Sequence, residues 1–78
     1  MVNPIKVAIV GLGQAGVRHL VAFAKLQNVK ILGVADPTQN ILNDIRDRYK
    51  ICAFNSYKEL FDLDLDILII STPHKYLY

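Results

Sequence analysis

The chain is 78 residues long, so it forms one domain at most and its hydrophobic core must be small. It is 53% hydrophobic and 21% charged, a composition typical of a folded globular segment and not of a disordered one. The formal net charge is only +2, and the basic residues are scattered without forming a stripe. A nucleic-acid partner is therefore not expected.

The single cysteine, Cys52, excludes a disulfide framework and a multi-cysteine zinc site, and we expect it to be a buried apolar thiol. The uncharged segment 7–17 is far shorter than the ~20 residues of a membrane-spanning helix. It also lacks the cleavage site of a signal peptide. The sequence thus predicts no metal site and no membrane partner, and the default location is the cytoplasm.

The first half of the chain predicts a strand, a helix and a second strand. Residues 5–10 are rich in β-branched residues and show no alternation, as in a parallel strand that is covered on both faces. Apolar residues then recur on one face with helical spacing, which predicts a helix over about 14–26. Residues 31–35 form a second apolar strand, which ends at Asp36.

The second half continues this alternation with a second amphipathic helix. Residues 51–54 predict a short third strand, and Ser56 with Glu59 forms a capping box that opens a short helix. Segment 62–66 is expected to be a solvated connection, and residues 67–70 predict a fourth apolar strand. The order β-α-β-α-β-α-β is typical of an α/β fold with a parallel sheet and right-handed crossovers.

Three glycines follow the first predicted strand, at Gly11, Gly13 and Gly16. In a nucleotide-binding βαβ unit, the first glycine permits a tight turn, the second lets the backbone approach a pyrophosphate, and the third lets the helix pack closely on the sheet. The helix then directs its N-terminal amides at the phosphates. The Gly-Lys-Ser/Thr sequence of a P-loop is absent, which disfavours that class of NTPase.

An acidic residue ends the second predicted strand. Asp36 lies 20 residues after Gly16, where a carboxylate accepts hydrogen bonds from the ribose 2′-hydroxyl of an adenosine. It would repel a 2′-phosphate and no arginine follows it directly, so NAD is favoured as the cofactor and NADP is less favoured. From these residues alone, a glycine turn that only packs the helix, and a site for FAD or S-adenosylmethionine, remain alternatives.

Four segments extend this pattern along the chain in the order VAIVGLGQAGVRHL, VKILGVADPT, FNSYKELF and DILIISTPH. Together they resemble the N-terminal NAD(P)-binding Rossmann domain of the Gfo/Idh/MocA oxidoreductases, which include glucose–fructose oxidoreductase and inositol dehydrogenase. The resemblance runs from Ile5 to His74. It implies a partial Rossmann fold, doubly wound, with the strand order 3-2-1-4.

The resemblance also implies which residues contact the dinucleotide. The glycines and the backbone of the three residues between them would contact the pyrophosphate, and Asp36 would bind the adenosine ribose. The loop after the fourth strand would lie against the cofactor. The implied cofactor-binding residues are Gly11, Leu12, Gly13, Gln14, Ala15, Gly16, Asp36, Ser71, Thr72, Pro73 and His74.

In a full-length enzyme, the resemblance implies hydride transfer between the nicotinamide and a sugar-like or polyol-like substrate. The family's Glu-Lys-Pro motif is absent from this sequence, as is the histidine that usually follows a few positions after Thr-Pro. We therefore expect residues 1–78 to be the N-terminal part of the Rossmann domain, without a substrate domain, without a catalytic residue and not catalytically competent alone. A non-catalytic nucleotide-binding module, regulatory or vestigial, is the alternative function.

The fourth predicted strand, residues 67–70, would form one edge of such a sheet. It is apolar on both faces and contains no proline or charge, features that invite pairing with another chain. We expect homo-oligomer formation through this edge, and a small-molecule substrate as a partner only in a longer chain.

Overall fold

The structure is a computed structural model that describes residues 3–71. It confirms the predicted alternation of strands and helices, with a 3₁₀-helix in place of the third α-helix. The elements are β1 (Ile5–Val10), α1 (Gln14–Ala24), β2 (Val29–Ala35), α2 (Gln39–Tyr49), β3 (Cys52–Phe54), the 3₁₀-helix (Tyr57–Asp62) and β4 (Ile67–Ile70). No helix within the described residues is long and apolar enough to cross a membrane.

The four strands form one parallel sheet in the order β3-β2-β1-β4, which confirms the predicted strand order. In the register of this sheet, Ile9 of β1 lies between Val34 of β2 and Ile69 of β4. Residues Val7 to Ile9 are fully buried, because β1 has a neighbouring strand on each side and packed side chains on both faces. This explains why residues 7–10 of the strand are apolar without alternation.

The two faces of the sheet are covered by different elements. One core contains the buried residues of α1 and α2 together with strand residues, and the other contains Leu60 of the 3₁₀-helix. The chain moves from β1 outward to β3 and then returns across the sheet to β4, so right-handed crossovers place the covering segments on opposite faces. The first core comprises Ile9, Leu12, Leu20, Val34, Leu42, Ile45 and Ala53, and the second Ala8, Val10, Ala35 and Leu60.

Some bounds shift by two residues, since α1 ends at Ala24 and not at 26, and β2 begins at Val29 and not at 31. Two predictions about side chains also differ from the structure. Cys52, predicted to be buried, is exposed, because the edge strand β3 buries Ala53 and leaves its neighbour in solvent. Ser56 is the N-cap of the third helix as predicted, but its hydroxyl oxygen accepts from the Lys58 amide at 3.3 Å instead of from Glu59. The tighter 3₁₀ geometry of this segment brings the earlier amide within reach.

The connection before β4 exposes its three acids, as expected of a solvated segment, and it is also tied to β1 by hydrogen bonds. The Asp66 carboxylate accepts from the Lys6 amide at 2.8 Å, and the Asp66 amide donates to the Lys6 carbonyl at 2.8 Å. The Lys6 ammonium also lies 2.6 Å from the Asp64 carboxylate. This hydrogen bond lowers the pKa of Asp64 and raises the pKa of Lys6. The acids at 64 and 66 thus fix the start of β4 beside the start of β1.

Replacement of Asp64 by asparagine should make the stability of the chain less sensitive to acid. A lowered carboxyl pKa in the folded state stabilises the fold above the ordinary pKa of 3.8, and this contribution is lost as the pH falls through the lowered value. Asp64→Asn should therefore reduce the melting temperature only slightly at neutral pH, because the pair is exposed. The two chains should converge in acid, once the Asp64 carboxyl group is protonated in the folded wild type. Thermal unfolding across this range measures the difference. Asp62→Asn is the matched control, and an identical response of the two variants would contradict the assignment.

Candidate functional site

A cavity of about 780 Å³ opens at the carboxyl ends of the strands. Residues that directly follow each of the four strands line it, and its volume lies within the usual range of small-molecule sites. β1 pairs with β2 on one side and with β4 on the other, so the crossover direction reverses at this point. In open α/β sheets, ligands bind at such a switch point.

Gly11 forms the turn that leaves β1. Its φ of 93° lies in the left-handed region, where a side chain would be strained, and its amide donates to the carbonyl of Ala35 at 2.8 Å. The first glycine is therefore required by the backbone conformation. This turn directs the chain across the end of the sheet toward α1.

Gly16 is required for a different reason, which is the close packing of α1. A Cβ atom at this position would lie 1.8 Å from the carbonyl oxygen of Gly11, and the residue is buried. No L-residue with a side chain fits at that distance. The first turn of α1 therefore rests directly on the turn after β1.

Gly13 has neither of these requirements. Its φ of −69° is open to any residue, it is exposed, and a Cβ atom added to it would have no atom within 4 Å. It nevertheless lines the cavity. Neither the backbone conformation nor the packing of the described residues requires a glycine here, whereas close approach of a ligand to the backbone would require one.

The N-terminus of α1 lies at the same cavity. Gly13 is the N-cap and provides no side-chain acceptor, and the first turn contains no acidic residue. The first amides of a helix have no partner within the helix, and the helix dipole adds partial positive charge there. Gln14 and Ala15 line the cavity, so their amides are suited to an anionic group such as a phosphate.

Asp36 lies on the other side of the glycine loop and is half-buried. One carboxylate oxygen accepts from the Leu12 amide at 2.7 Å, and the other accepts from the Thr38 amide at 2.8 Å. Asp36 lines the cavity, as does Ser71, whose amide donates to the carbonyl of Val10 at 2.8 Å. The carboxylate thus faces the same space as the glycine loop.

The remaining residues implied by the family resemblance differ in their placement. The Leu12 side chain is buried in the core between the helices and the sheet, and its amide is bonded to Asp36. Thr72, Pro73 and His74 lie outside the described residues.

The cavity also contains residues that the sequence analysis did not identify. They follow β2 and β3, and the rule that ligands bind beyond the carboxyl ends of the strands is the signal that would have found them. These residues are Pro37, Thr38, Ile41, Asn55, Ser56 and Tyr57.

The chemistry of the cavity fits a dinucleotide better than a metal ion. Within residues 3–71, no three His, Cys, Asp or Glu side chains are grouped to hold a metal. The cavity combines backbone amides for phosphate, one carboxylate for ribose hydroxyls, and apolar wall residues such as Val10 and Ile41.

Comparison with known proteins decides the family. The sequence model of the Gfo/Idh/MocA family, described as an oxidoreductase family with an NAD-binding Rossmann fold, matches residues 5–77. The chain belongs to the Gfo/Idh/MocA oxidoreductase family. The glycosyl hydrolase family 109 protein 1 of Shewanella sp. (strain MR-4) is 32% identical to it over 80 residues, which cover 88% of this chain and 17% of that protein.

Solved structures of the Gfo/Idh/MocA type share this fold. The scyllo-inositol dehydrogenase of Lactobacillus casei with bound NAD(H) and scyllo-inositol matches with a TM-score of 0.85 and 25% identity, over 95% of this chain and 23% of that one. The WlbA dehydrogenase of Chromobactrium violaceum in complex with NADH and UDP-GlcNAcA gives the same score and identity, over 95% and 22%. This chain therefore spans about a fifth of the length of the proteins that it matches.

Two alanine substitutions should separate the roles of the glycines in folding. Gly16→Ala should destabilise the chain by at least about 1–3 kcal/mol, since the new methyl group overlaps the Gly11 carbonyl. Gly13→Ala should cost at most about 1 kcal/mol, the difference between glycine and alanine at a helix N-cap. Urea unfolding of both variants measures this. Equal destabilisation would show that α1 does not rest on Gly11.

Proposed function

We propose that this chain binds NAD across the carboxyl ends of β1, β2 and β4 and serves as the cofactor-binding part of an oxidoreductase. The observation that carries the proposal is Gly13, a glycine at the cavity that neither the backbone conformation nor the packing of the described residues requires. The family and the named cofactors of the similar dehydrogenases support it.

In this proposal each part of the site binds a different part of the dinucleotide. The amides at the start of α1 bind the pyrophosphate, and the missing side chain of Gly13 lets the phosphates come close. The Asp36 carboxylate accepts hydrogen bonds from the adenosine ribose. Ser71, with Thr72, Pro73 and His74, lies along the dinucleotide. When bound, the nicotinamide ring supplies hydride transfer, and these residues hold and orient the cofactor.

We assign NAD and not NADP as the preferred cofactor on electrostatic grounds. A 2′-phosphate on the adenosine ribose would lie close to the negative charge of Asp36. Among the described residues that line the cavity, none is Lys or Arg, so no cation is in place to bind that phosphate.

The substrate proposal is broader, because it concerns a longer polypeptide. We propose hydride transfer between the nicotinamide and a sugar-like or polyol-like substrate, in keeping with the inositol and nucleotide-sugar ligands named for the similar dehydrogenases. The described ionisable residues at the cavity are Asp36 and Tyr57. Asp36 already accepts two backbone amides, so the site supplies binding groups more readily than acid–base catalysis.

A site that supplies binding groups and not acid–base catalysts also suits the alternative function, a non-catalytic nucleotide-binding module. Reduction of NAD by inositols or sugars, assayed with the product of the complete reading frame, separates the two functions. Turnover supports the oxidoreductase, and NAD binding without turnover of any such substrate supports the module.

The first expected outcome concerns the choice of cofactor. NAD should raise the melting temperature of the chain more than an equal concentration of NADP, since a ligand stabilises the folded state according to its affinity. Asp36→Ala should remove this preference by removing both the ribose acceptor and the repelling charge. Equal shifts with both cofactors in the wild type would defeat the role assigned to Asp36.

The second expected outcome concerns the close approach to the loop. Gly13→Val should abolish NAD binding, because the side chain would occupy the space that we assign to the phosphates. Isothermal titration calorimetry with NAD measures the loss, and circular dichroism checks the fold. Ala22→Val, an exposed substitution on the same helix, is the matched control and should leave binding unchanged. If Gly13→Val binds NAD as the wild type does, the loop is only a packing turn.

We also propose self-association through β4. It is one of the two edge strands of the sheet within residues 3–71, and Ile67 and Ile70 are 43% and 57% exposed. Exposed apolar edge strands favour pairing with a second chain. Sedimentation velocity should show a concentration-dependent dimer that Ile67→Lys weakens, and a monomer at every concentration would refute this proposal.

A further inference from the structure

The Asp36 carboxylate is hydrogen-bonded to the backbone of the glycine loop. Its contact with the Leu12 amide, at 2.7 Å, joins residues 24 positions apart in sequence. Within residues 3–71, it is the one side-chain hydrogen bond that reaches the loop from Gly11 to Gly16. A hydrogen bond of this length between an amide and a carboxylate is typical of the stronger, charge-assisted kind.

Leu12 is the residue through which this contact acts on the loop. It stands between Gly11, which turns the chain, and Gly13, which faces the cavity. Its side chain is only 2% exposed and packs in the core, so the amide has little room to move toward solvent. A buried amide without an acceptor is costly, and Asp36 supplies that acceptor.

We propose that Asp36 is a positioning residue for the glycine loop in addition to its role at the ribose. The part at the ribose rests on the proposed NAD site, whereas the contact with Leu12 lies within the chain itself. A carboxylate has about four acceptor positions, and the two backbone amides use two of them. Ribose hydroxyls can therefore bind while the loop stays held.

This dual role couples the two ends of the binding site. The carboxylate that selects the ribose also holds the backbone that presents amides to the pyrophosphate. A substitution that removes the acid to admit a 2′-phosphate therefore loosens the phosphate loop as well. Such a substitution should therefore also weaken the binding of diphosphate ligands that lack the ribose hydroxyls.

The substitutions Asp36→Ala and Asp36→Asn test this because both are neutral and only asparagine keeps an acceptor oxygen. That oxygen should turn to the buried Leu12 amide, since the Thr38 amide is exposed and can bond to water. In the ligand-free chain, hydrogen exchange of the Leu12 amide should be on the order of tenfold faster in Asp36→Ala than in Asp36→Asn. The probe ligand is 2′,3′-dideoxyadenosine diphosphate, which keeps the diphosphate but lacks both ribose hydroxyls. It should bind several-fold more weakly to Asp36→Ala than to Asp36→Asn.

Equal Leu12 exchange and equal binding of the dideoxy probe in the two variants would overturn the proposal. If Asp36→Ala fails to fold, the unsubstituted chain decides by the scalar coupling across the hydrogen bond between the Leu12 nitrogen and the Asp36 Cγ. Absence of that coupling overturns the proposal. If the wild type binds neither NAD nor the probe, the proposed NAD site fails, while the exchange and coupling measurements still decide whether Asp36 holds the loop.

Discussion

The contact between Gly16 and the carbonyl of Gly11 determines how the rest of the site is arranged. With no side chain at Gly16, the first turn of α1 lies directly on the turn after β1, closer than a residue with a Cβ atom at that position would permit. This places the start of the helix at the carboxyl end of the central strand. The unpaired amides of the helix then face the cavity at the point where the sheet reverses its winding direction.

The three glycines of the loop share a residue type for three separate physical reasons. Gly11 adopts a left-handed backbone conformation, and Gly16 permits close packing of α1 on the turn after β1. Gly13 leaves open space between the backbone and the cavity. Only the last reason points outside the folded chain, to a ligand. Asp36 links these reasons, because its bond to the Leu12 amide holds the residue between the conformational glycine and the open one.

The strands and the glycine–acid pattern could be predicted because they follow from local periodicity and short spacings, whereas the strand order was implied by the resemblance to a known family. The apolar run of residues 7–10 in β1 and the acid after β2 belong to this group. The bond between Asp36 and Leu12 could not be predicted, because it depends on how closely β2 approaches the loop. The exposure of Cys52 likewise follows from its edge position, which a short apolar segment does not reveal.

The division of the site also explains why the cofactor is better defined than the reaction. The described residues are suited to the pyrophosphate and the adenosine ribose, which are parts of a dinucleotide that do not react. Binding energy from these non-reacting parts positions the nicotinamide but does not determine which substrate reacts with it. Proteins similar to this chain are accordingly named both as dehydrogenases and as a glycosyl hydrolase. A shared cofactor-binding unit is compatible with several reactions, and the groups that contact the substrate decide among them.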